Sequence, residues 1–237
     1  MEAIVLAGGF GSRLAKVVPD WPKPMAPVAG RPFLELLLLN LARQGITRVL
    51  LSLHYMAHKV QQHFGARFGG MELEYVIEEQ PLGTGGALRY ALQFCHEDLV
   101  LACNGDTYLE FDLSAARALW LQQKRTVLIG CRVEDASRYG RLQLDQGLVC
   151  GFLEKGAAGA GIINAGCYVL ARDALAAFPV GQAFSLETDY LTPLAQATPL
   201  PVLSEARRFI DIGIPQDYAR AQDELADLAR TLPQATS

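Results

Sequence analysis

The sequence predicts an α/β fold: a mostly parallel sheet with helices on both faces, extended by an antiparallel addition. Three observations predict it. Short apolar runs alternate with helix-length segments from Ala3 to Cys103. The first of those runs ends on a cluster of glycines at Gly8, Gly9 and Gly11. Beyond Thr126 the strand-like runs crowd together, with only turns between them.

Taken in order, Ala3 to Ala7 is a short buried strand that enters a glycine loop. Phe33 to Gln44 is leucine-rich and helix-length, with Gly45 placed to end it in a left-handed conformation. The leucines at Leu36 to Leu39 read as core. Arg48 to Leu53 is too short for a helix and rich in β-formers. A helix over Ala57 to Phe64 and a strand over Leu73 to Ile77 follow. Gly83 to Cys95 reads as a helix opening from a glycine turn, and Leu99 to Cys103 as the next buried strand. This alternation implies parallel pairing with crossover helices. Thr126 to Val133, Arg141 to Leu144, Leu148 to Leu153 and Cys167 to Leu170 form the antiparallel addition, with a turn at Asp145-Gln146-Gly147. The last element is an amphipathic helix over Gln216 to Arg230, with Pro215 in its first turn. All of this is expected to form a single domain, residues 1–237.

Composition sets limits on function. With 237 residues, 51% of them hydrophobic and 19% charged, the chain can bury a substantial core. A net charge of only -4, with both signs interspersed, offers neither a basic face for nucleic acid nor a polybasic membrane anchor. The apolar stretch Phe33 to Leu41 is interrupted by Glu35 and Asn40 and is too short to span a bilayer. Met1-Glu2 leads directly into a strand, unlike a signal peptide. Cys95, Cys103, Cys131, Cys150 and Cys167 are scattered singly, as small buried hydrophobes in a reducing compartment would be. A cytoplasmic location is expected.

Two segments carry chemistry. Gly8-Gly9-Phe10-Gly11-Ser12-Arg13 follows a strand, where glycines let the backbone turn tightly and bring N–H groups to phosphate oxygens. It is not a Walker A loop, because no Gly-Lys-Ser/Thr follows. It also lacks the dinucleotide fingerprint, since Leu14 stands where the third glycine belongs and the second strand ends near His54-Tyr55 without an acid. By itself such a loop fits a plain βα turn equally well. Pro22-Lys23-Pro24 then holds one ammonium on a stiff backbone. Single lysines are mostly solvated, but Lys23 together with Arg13 beside a glycine loop suits a triphosphate.

These residues resemble the sugar-phosphate nucleotidyltransferase family. The resemblance begins with LAGGFGSRL (Leu6 to Leu14) and PKPMAPVAGRP (Pro22 to Pro32). It continues through Glu79-Gln80-Pro81-Leu82-Gly83-Thr84-Gly85-Gly86, Asn104-Gly105-Asp106, Glu154-Lys155, Asn164-Ala165-Gly166 and Phe209-Ile210-Asp211-Ile212-Gly213. Each piece is short, but the ordered set runs from Leu6 to about Pro215 and is specific. It implies the nucleotide-diphospho-sugar transferase type of Rossmann-like fold, with a sugar-binding half over roughly residues 126–215.

The resemblance further implies roles. Arg13 and Lys23 match the family's catalytic cations, and Asp106 and Asp211 its metal carboxylates, which would hold Mg2+. By itself Asp211, between Ile210 and Ile212, would also suit the solvent face of a half-buried strand. Nucleotide contacts are implied for Leu6, Ala7, Gly8, Gly9 and Gly11, for Gln80, Gly85 and Gly86 in a base-reading loop, and for Asn104 and Gly105. Lys155, Asn164, Gly166 and Glu187 match positions that bind the sugar phosphate. Lys155 also fits a turn lysine, and Glu187 a first-turn acid facing a helix dipole. The departure from the family pattern is the missing proline after Glu154-Lys155.

The substrates implied are an NTP and a sugar 1-phosphate. PKPMAPVAGRPFLE, EQPLGTGGA, NGDTY and FIDIGIPQDY are similar to the bacterial D-glycero-D-manno-heptose 1-phosphate guanylyltransferases, which implies GTP and a heptose phosphate. Mannose 1-phosphate guanylyl transfer, then uridylyl or thymidylyl transfer to a hexose phosphate, are the alternatives. A sugar-nucleotide sensor without catalysis would be expected to lack Arg13, Lys23, Asp106 or Asp211, and all four are present. His54 and His58 have a zinc-compatible spacing, but His54 ends a predicted strand and no HExxH pattern forms, so no metal role is expected. Homo-oligomerisation is compatible with the sequence and unspecified by it.

Overall fold

The computed structural model describes residues 1–11, 14, 17–153, 156 and 159–231. The chain opens with β1 (Glu2–Leu6), a tight turn of 3-10 helix (Lys23–Met25) and a small hairpin, β2 (Pro27–Val28) and β3 (Arg31–Pro32). Then come α1 (Phe33–Arg43), β4 (Arg48–Leu53), α2 (Ala57–Phe64), β5 (Arg67–Phe68), β6 (Met71–Ile77), α3 (Gly83–Ala91) and β7 (Leu99–Asn104). The second half holds β8 (Thr107–Glu110), α4 (Leu113–Gln123), β9 (Val127–Val133), β10 (Arg141–Asp145), β11 (Leu148–Leu153) and β12 (Gly161–Ala171). A wide π-helical turn (Leu186–Leu191) runs into α5 (Thr192–Ala197), followed by β13 (Leu200–Leu203), β14 (Arg208–Asp211), α6 (Pro215–Glu224) and α7 (Ala226–Arg230).

Ten strands form one sheet in the order β10-β11-β13-β9-β12-β7-β1-β4-β6-β5. Its centre is parallel: β1 pairs with β4 and β7, and β4 with β6. Beyond β7 the sheet turns antiparallel through β12 and β9. One pair within that extension, β13 with β9, is parallel, and β13 lies between β11 and β9.

Each central strand is apolar on both faces, as a sheet covered on both sides requires. In β1, Ala3 and Val5 face one core while Ile4 faces the other. In β7, Leu101 and Cys103 alternate in the same way with Val100 and Ala102. The first core receives Phe33, Leu34, Leu37 and Leu38 of α1 together with Leu113 of α4 and Ala221 of α6. The second receives Leu88 and Ala91 of α3 with Ala195 of α5. Helix α1 stops where expected: Gly45 adopts φ +82°, and the Ile46 N–H reaches back to Leu41 O at 3.2 Å while its side chain is buried.

Three elements differ from the expected ones. Helix α4 was absent from the sequence pattern because only Leu113 and Ala116 of its residues are buried while Leu121 is exposed, which leaves no apolar stripe. The C-terminal helix is two helices, since the backbone at Leu225 leaves the helical range (φ -106°, ψ 5°) as its side chain enters the core. The strand expected over Cys167 to Leu170 is the end of the much longer β12, whose register slips between Asn164 and Cys167 at Gly166, φ +68°. Four cysteines are buried and Cys150 half-buried, all free thiols.

At the N-terminal ends of the parallel strands Glu2 and Arg48 face each other in register and form a buried ion pair, with Glu74 on the other arm of the guanidinium. The opposite, C-terminal ends of β1, β4, β6 and β7 open onto the cleft described next, where open parallel sheets place their ligands.

Candidate active site

The loop leaving β1 is built on close approach. A side chain at Gly8 would come within 3.1 Å of Glu78 Oε1 and 3.2 Å of the His54 N. Gly11 has φ +59°, and a Cβ there would press on Lys23 Cβ at 2.8 Å. Gly11 therefore lets the stem of Lys23 lie under the loop. The 3-10 turn that carries Lys23 is fixed by Pro22 and Pro24, with Pro24 and Met25 buried beneath it.

Lys23 points its ammonium at Asp106, with which it forms an ion pair, and lies 3.9 Å from Asp211 Oδ1. The two acids come from distant parts of the chain and are joined by a two-stranded antiparallel ribbon of β8 and β14. Asp211 is the last residue of β14 and pairs with Thr107, and the Ile212 N–H donates to Asp106 O at 3.0 Å. Burial, and then the neighbouring Asp106 carboxylate, push the Asp211 carboxyl above its ordinary value. The Lys23 ammonium and the Gly213 N–H, 2.7 Å from Asp211 Oδ1, only partly offset this. The pair is thus short of positive charge. Among the described residues no larger group of acids, histidines or cysteines gathers as a metal cage.

Next to this cluster is a cleft of about 290 Å³. Leu6, Ala7, Gly8, Gly9, Asn104, Lys23 and Asp106 line it, so the first loop and the end of β7 come together with the charge cluster. Five other residues expected to contact a nucleotide, Gly11, Gln80, Gly85, Gly86 and Gly105, do not line it. Gln80 is exposed beside it. Gly85 and Gly86 lie under the Gln182–Phe184 segment instead: a Cβ on Gly85 would strike the Phe184 ring at 2.2 Å, and one on Gly86 would strike Gln182 O at 2.3 Å. Their N–H groups already donate to Phe184 O, at 3.0 and 3.4 Å. These glycines admit a neighbouring chain segment into close packing. Gly105 likewise lets the turn after β7 pack on Ala7, with its N–H on Leu6 O at 2.8 Å.

Sequence reasoning passed over Glu78 and weighed His54 only as a zinc ligand. Glu78 is buried at the foot of the cleft, one residue past β6; Oε1 accepts from Ser52 Oγ and Oε2 from the Leu82 N–H, both at 3.1 Å. His54, one residue past β4, keeps Nδ1 at 2.8 Å from Glu78 O and packs edge-on against Phe10. The signal for both was position: each stands just beyond the C-terminal end of a central parallel strand.

A second cluster lies across Asn104. Gly166 sits so near that a Cβ would be 2.2 Å from Asn104 Nδ2. Asn164 Nδ2 donates to Glu187 Oε2 at 2.7 Å and to the Tyr168 hydroxyl at 2.9 Å, while its Oδ1 accepts from the Gly166 N–H at 3.2 Å. Asn164, Gly166 and Glu187 are therefore one connected group. Arg13, Glu154 and Lys155 lie outside the described residues.

Comparison with known proteins agrees with this arrangement. The nucleotidyl transferase family model matches residues 2–227. D-glycero-α-D-manno-heptose 1-phosphate guanylyltransferase of Aneurinibacillus thermoaerophilus is 38% identical over 95% of this chain and 98% of its own length. The enzyme of the same name from Campylobacter jejuni is 37% identical over 92% of this chain and 97% of its own. Among solved structures, HddC from Yersinia pseudotuberculosis complexed with GMP-PN superposes with a TM-score of 0.82 at 35% identity, covering 94% of this chain and 99% of that one. A glycine loop, a proline-fixed lysine and two acids at the C-terminal edge of a mostly parallel sheet, on a chain matched almost end to end, identify it as a member of the nucleotidyl transferase family.

Proposed function

We propose that this protein transfers GMP from GTP to D-glycero-α-D-manno-heptose 1-phosphate, giving GDP-heptose and pyrophosphate. The observation that carries the reading is the cluster of Lys23, Asp106 and Asp211 at the edge of the cleft. The choice of substrates draws its support from the two relatives of that name, matched over nearly their full length. A single domain over residues 1–237, with the sugar phosphate held by the half from about 126 to 215, accords with the linkage of Asn164, Gly166 and Glu187.

A sugar-phosphate oxygen attacks the α-phosphorus of GTP. The new P–O bond forms as the bond to the α,β-bridging oxygen breaks, and pyrophosphate leaves with the electron pair. The nucleophile is already an anion, so no general base is required. The work of the protein is alignment and neutralisation of charge. Lys23 meets the triphosphate, Arg13 is assigned to it on the motif alone, and Leu6 at the end of β1 with Ala7, Gly8, Gly9 and Gly11 of the loop surrounds it. Asn104 spans the nucleotide and sugar sides.

Two hard carboxylates short of positive charge, Asp106 and Asp211, suit Mg2+ and would hold it; an ion there would supply positive charge toward the phosphate oxygens. For the base, Glu78 joins the loop of Gln80, Gly85 and Gly86 as a reading group. Guanine presents two adjacent N–H donors, and a carboxylate lining the cleft is their natural acceptor. Lys155 remains assigned to the sugar phosphate on the motif alone. The cytoplasm, where GTP is available, is the compartment this chemistry fits, and no helix among the described residues is long and apolar enough to cross a membrane.

Pyrophosphate release measured over four NTPs and a set of sugar 1-phosphates, with Mg2+ and with EDTA, tests the reading. A metal-dependent signal for GTP with the heptose phosphate is expected. A preference for mannose 1-phosphate or another NTP corrects the substrate, and silence from folded protein removes the transferase assignment.

A further inference from the structure

Away from the catalytic cleft, and sharing no lining residue with it, is an open groove of about 920 Å³. Its walls are the end of β9 with the loop to Tyr139, the segment Arg207–Phe209, and the outer face of α6. Five of the sixteen arginines in the chain converge here: Arg132, Arg138, Arg207, Arg208 and Arg220. Against them the lining sets three acids, Glu134, Asp135 and Glu224, and three further acids just outside it, Glu110, Asp217 and Asp227, pair with Arg138, Arg208 and Arg220.

The arginines divide into braced and free. Asp217, 3% exposed, ion-pairs with Arg138 and with Arg220 (Oδ1 to Nη1, 3.3 Å), fixing two guanidinium groups from below. Arg208 is held between Glu110 at 3.4 Å and Asp227 at 3.5 Å. Arg132 and Arg207 are exposed, and their side chains have no partner among the described residues. Two unpaired guanidinium groups in a groove whose other cations are already oriented are a poor arrangement for an isolated surface and a good one for a multiply charged anion. All five cations are arginine, whose planar fork matches phosphate oxygens two at a time. Beside them Tyr139 and Phe209 pack edge to face, centroids 5.2 Å apart, and line the same groove.

We propose that this groove is a second anion site, which binds a diphosphate-bearing ligand through Arg132 and Arg207. Arg207 immediately precedes β14, which ends at Asp211, so the ligand would rest about 13 Å along the chain from the Asp211 carboxylate.

The probe is inorganic pyrophosphate, titrated calorimetrically into the wild type, Lys23→Ala and the double variant R132Q/R207Q. Lys23→Ala, weakened in the cleft, is expected to keep one class of pyrophosphate sites. The double variant is expected to lose affinity at that class by at least about tenfold, the cost of removing charge-assisted hydrogen bonds, while the KM for GTP in the catalytic cleft stays at the wild-type value. Hydrogen exchange on the wild type supplies a second measure, with pyrophosphate expected to slow exchange around Arg207–Phe209. An unchanged isotherm in the double variant, or no pyrophosphate bound to Lys23→Ala and no protection at Arg207–Phe209, overturns the proposal.

Discussion

The ammonium of Lys23 is the shared counter-ion of Asp106 and Asp211: it pairs with the first and stands 3.9 Å from the second. One lysine thus occupies the position in which a cation relieves the repulsion of both acids. In the proposed reaction, the same ammonium would turn to phosphate oxygens when a nucleotide arrives and would leave the acids for a metal ion.

This exchange predicts opposite effects of one substitution. Lys23→Ala is expected to lower turnover by at least about a hundredfold, the usual cost of one charge contact in the transition state. In the absence of nucleotide, the same variant is expected to bind Mn2+ more tightly than the wild type, because the competing ammonium is gone. Electron paramagnetic resonance of free Mn2+ measures it, and weaker binding by the variant would contradict the shared-counter-ion relationship.

Asp211 gives a pH dependence. Its carboxyl titrates above the ordinary value, so the folded chain holds that proton more tightly than the unfolded chain. The associated stability is full below the ordinary carboxylate range and is lost as pH rises through the raised value. In EDTA at neutral pH, Asp211→Asn is therefore expected to melt at a higher temperature than the wild type, and the difference should shrink toward acid. Thermal unfolding across that range decides it, and a lower melting temperature at neutral pH counts against the charge imbalance.

Glu2 behaves in the opposite sense. Burial alone would raise its carboxyl, but the Glu97 N–H, Arg48 and the His96 N–H together hold it below the usual value. Its contribution is present above the ordinary carboxylate pKa and lost as pH falls through the lowered one. Glu2→Gln leaves Arg48 with only Glu74 and is expected to cost about 3 kcal/mol. Urea unfolding at neutral pH checks this, and activity per folded molecule should not change.

Gly166→Ala tests the link between the two halves of the site. The added methyl would meet Asn104 Nδ2 at 2.2 Å in a backbone conformation of φ +68° that alanine resists. A rise of about tenfold or more in KM for both substrates is expected, consistent with roughly 1–3 kcal/mol of forced repacking. Effects on only one KM would mean that Asn104 does not connect them.

Glu78→Gln bears on the base. Replacing one acceptor oxygen by a donor is expected to reduce the preference for GTP over UTP in kcat/KM by at least about tenfold. An unchanged ratio would remove Glu78 from base recognition.

Strands β1, β4 and β7 were legible because buried parallel strands are apolar on both faces and read as unbroken runs. Helix α4 and strand β13 lacked that signature: the helix is half exposed, and β13 has only four residues. Lys23, Asp106 and Asp211 stood out by motif, but nothing along the chain announces the β8–β14 ribbon that joins the acids. Gly85 and Gly86 mark the reverse difficulty. A glycine written in a loop looks the same whether a ligand or a neighbouring segment needs the space, and here Phe184 lies against Gly85 and Gln182 against Gly86.

The β8–β14 ribbon also makes the site a record of the chain's own synthesis. A nascent polypeptide that has emerged as far as β13 already contains every strand of the ten-stranded sheet, yet it carries only one of the two acids. The charge pair is completed only by the end of β14, the last strand among the described residues, so a product truncated after β13 can hold the sheet's full complement of strands and still lack the second acid.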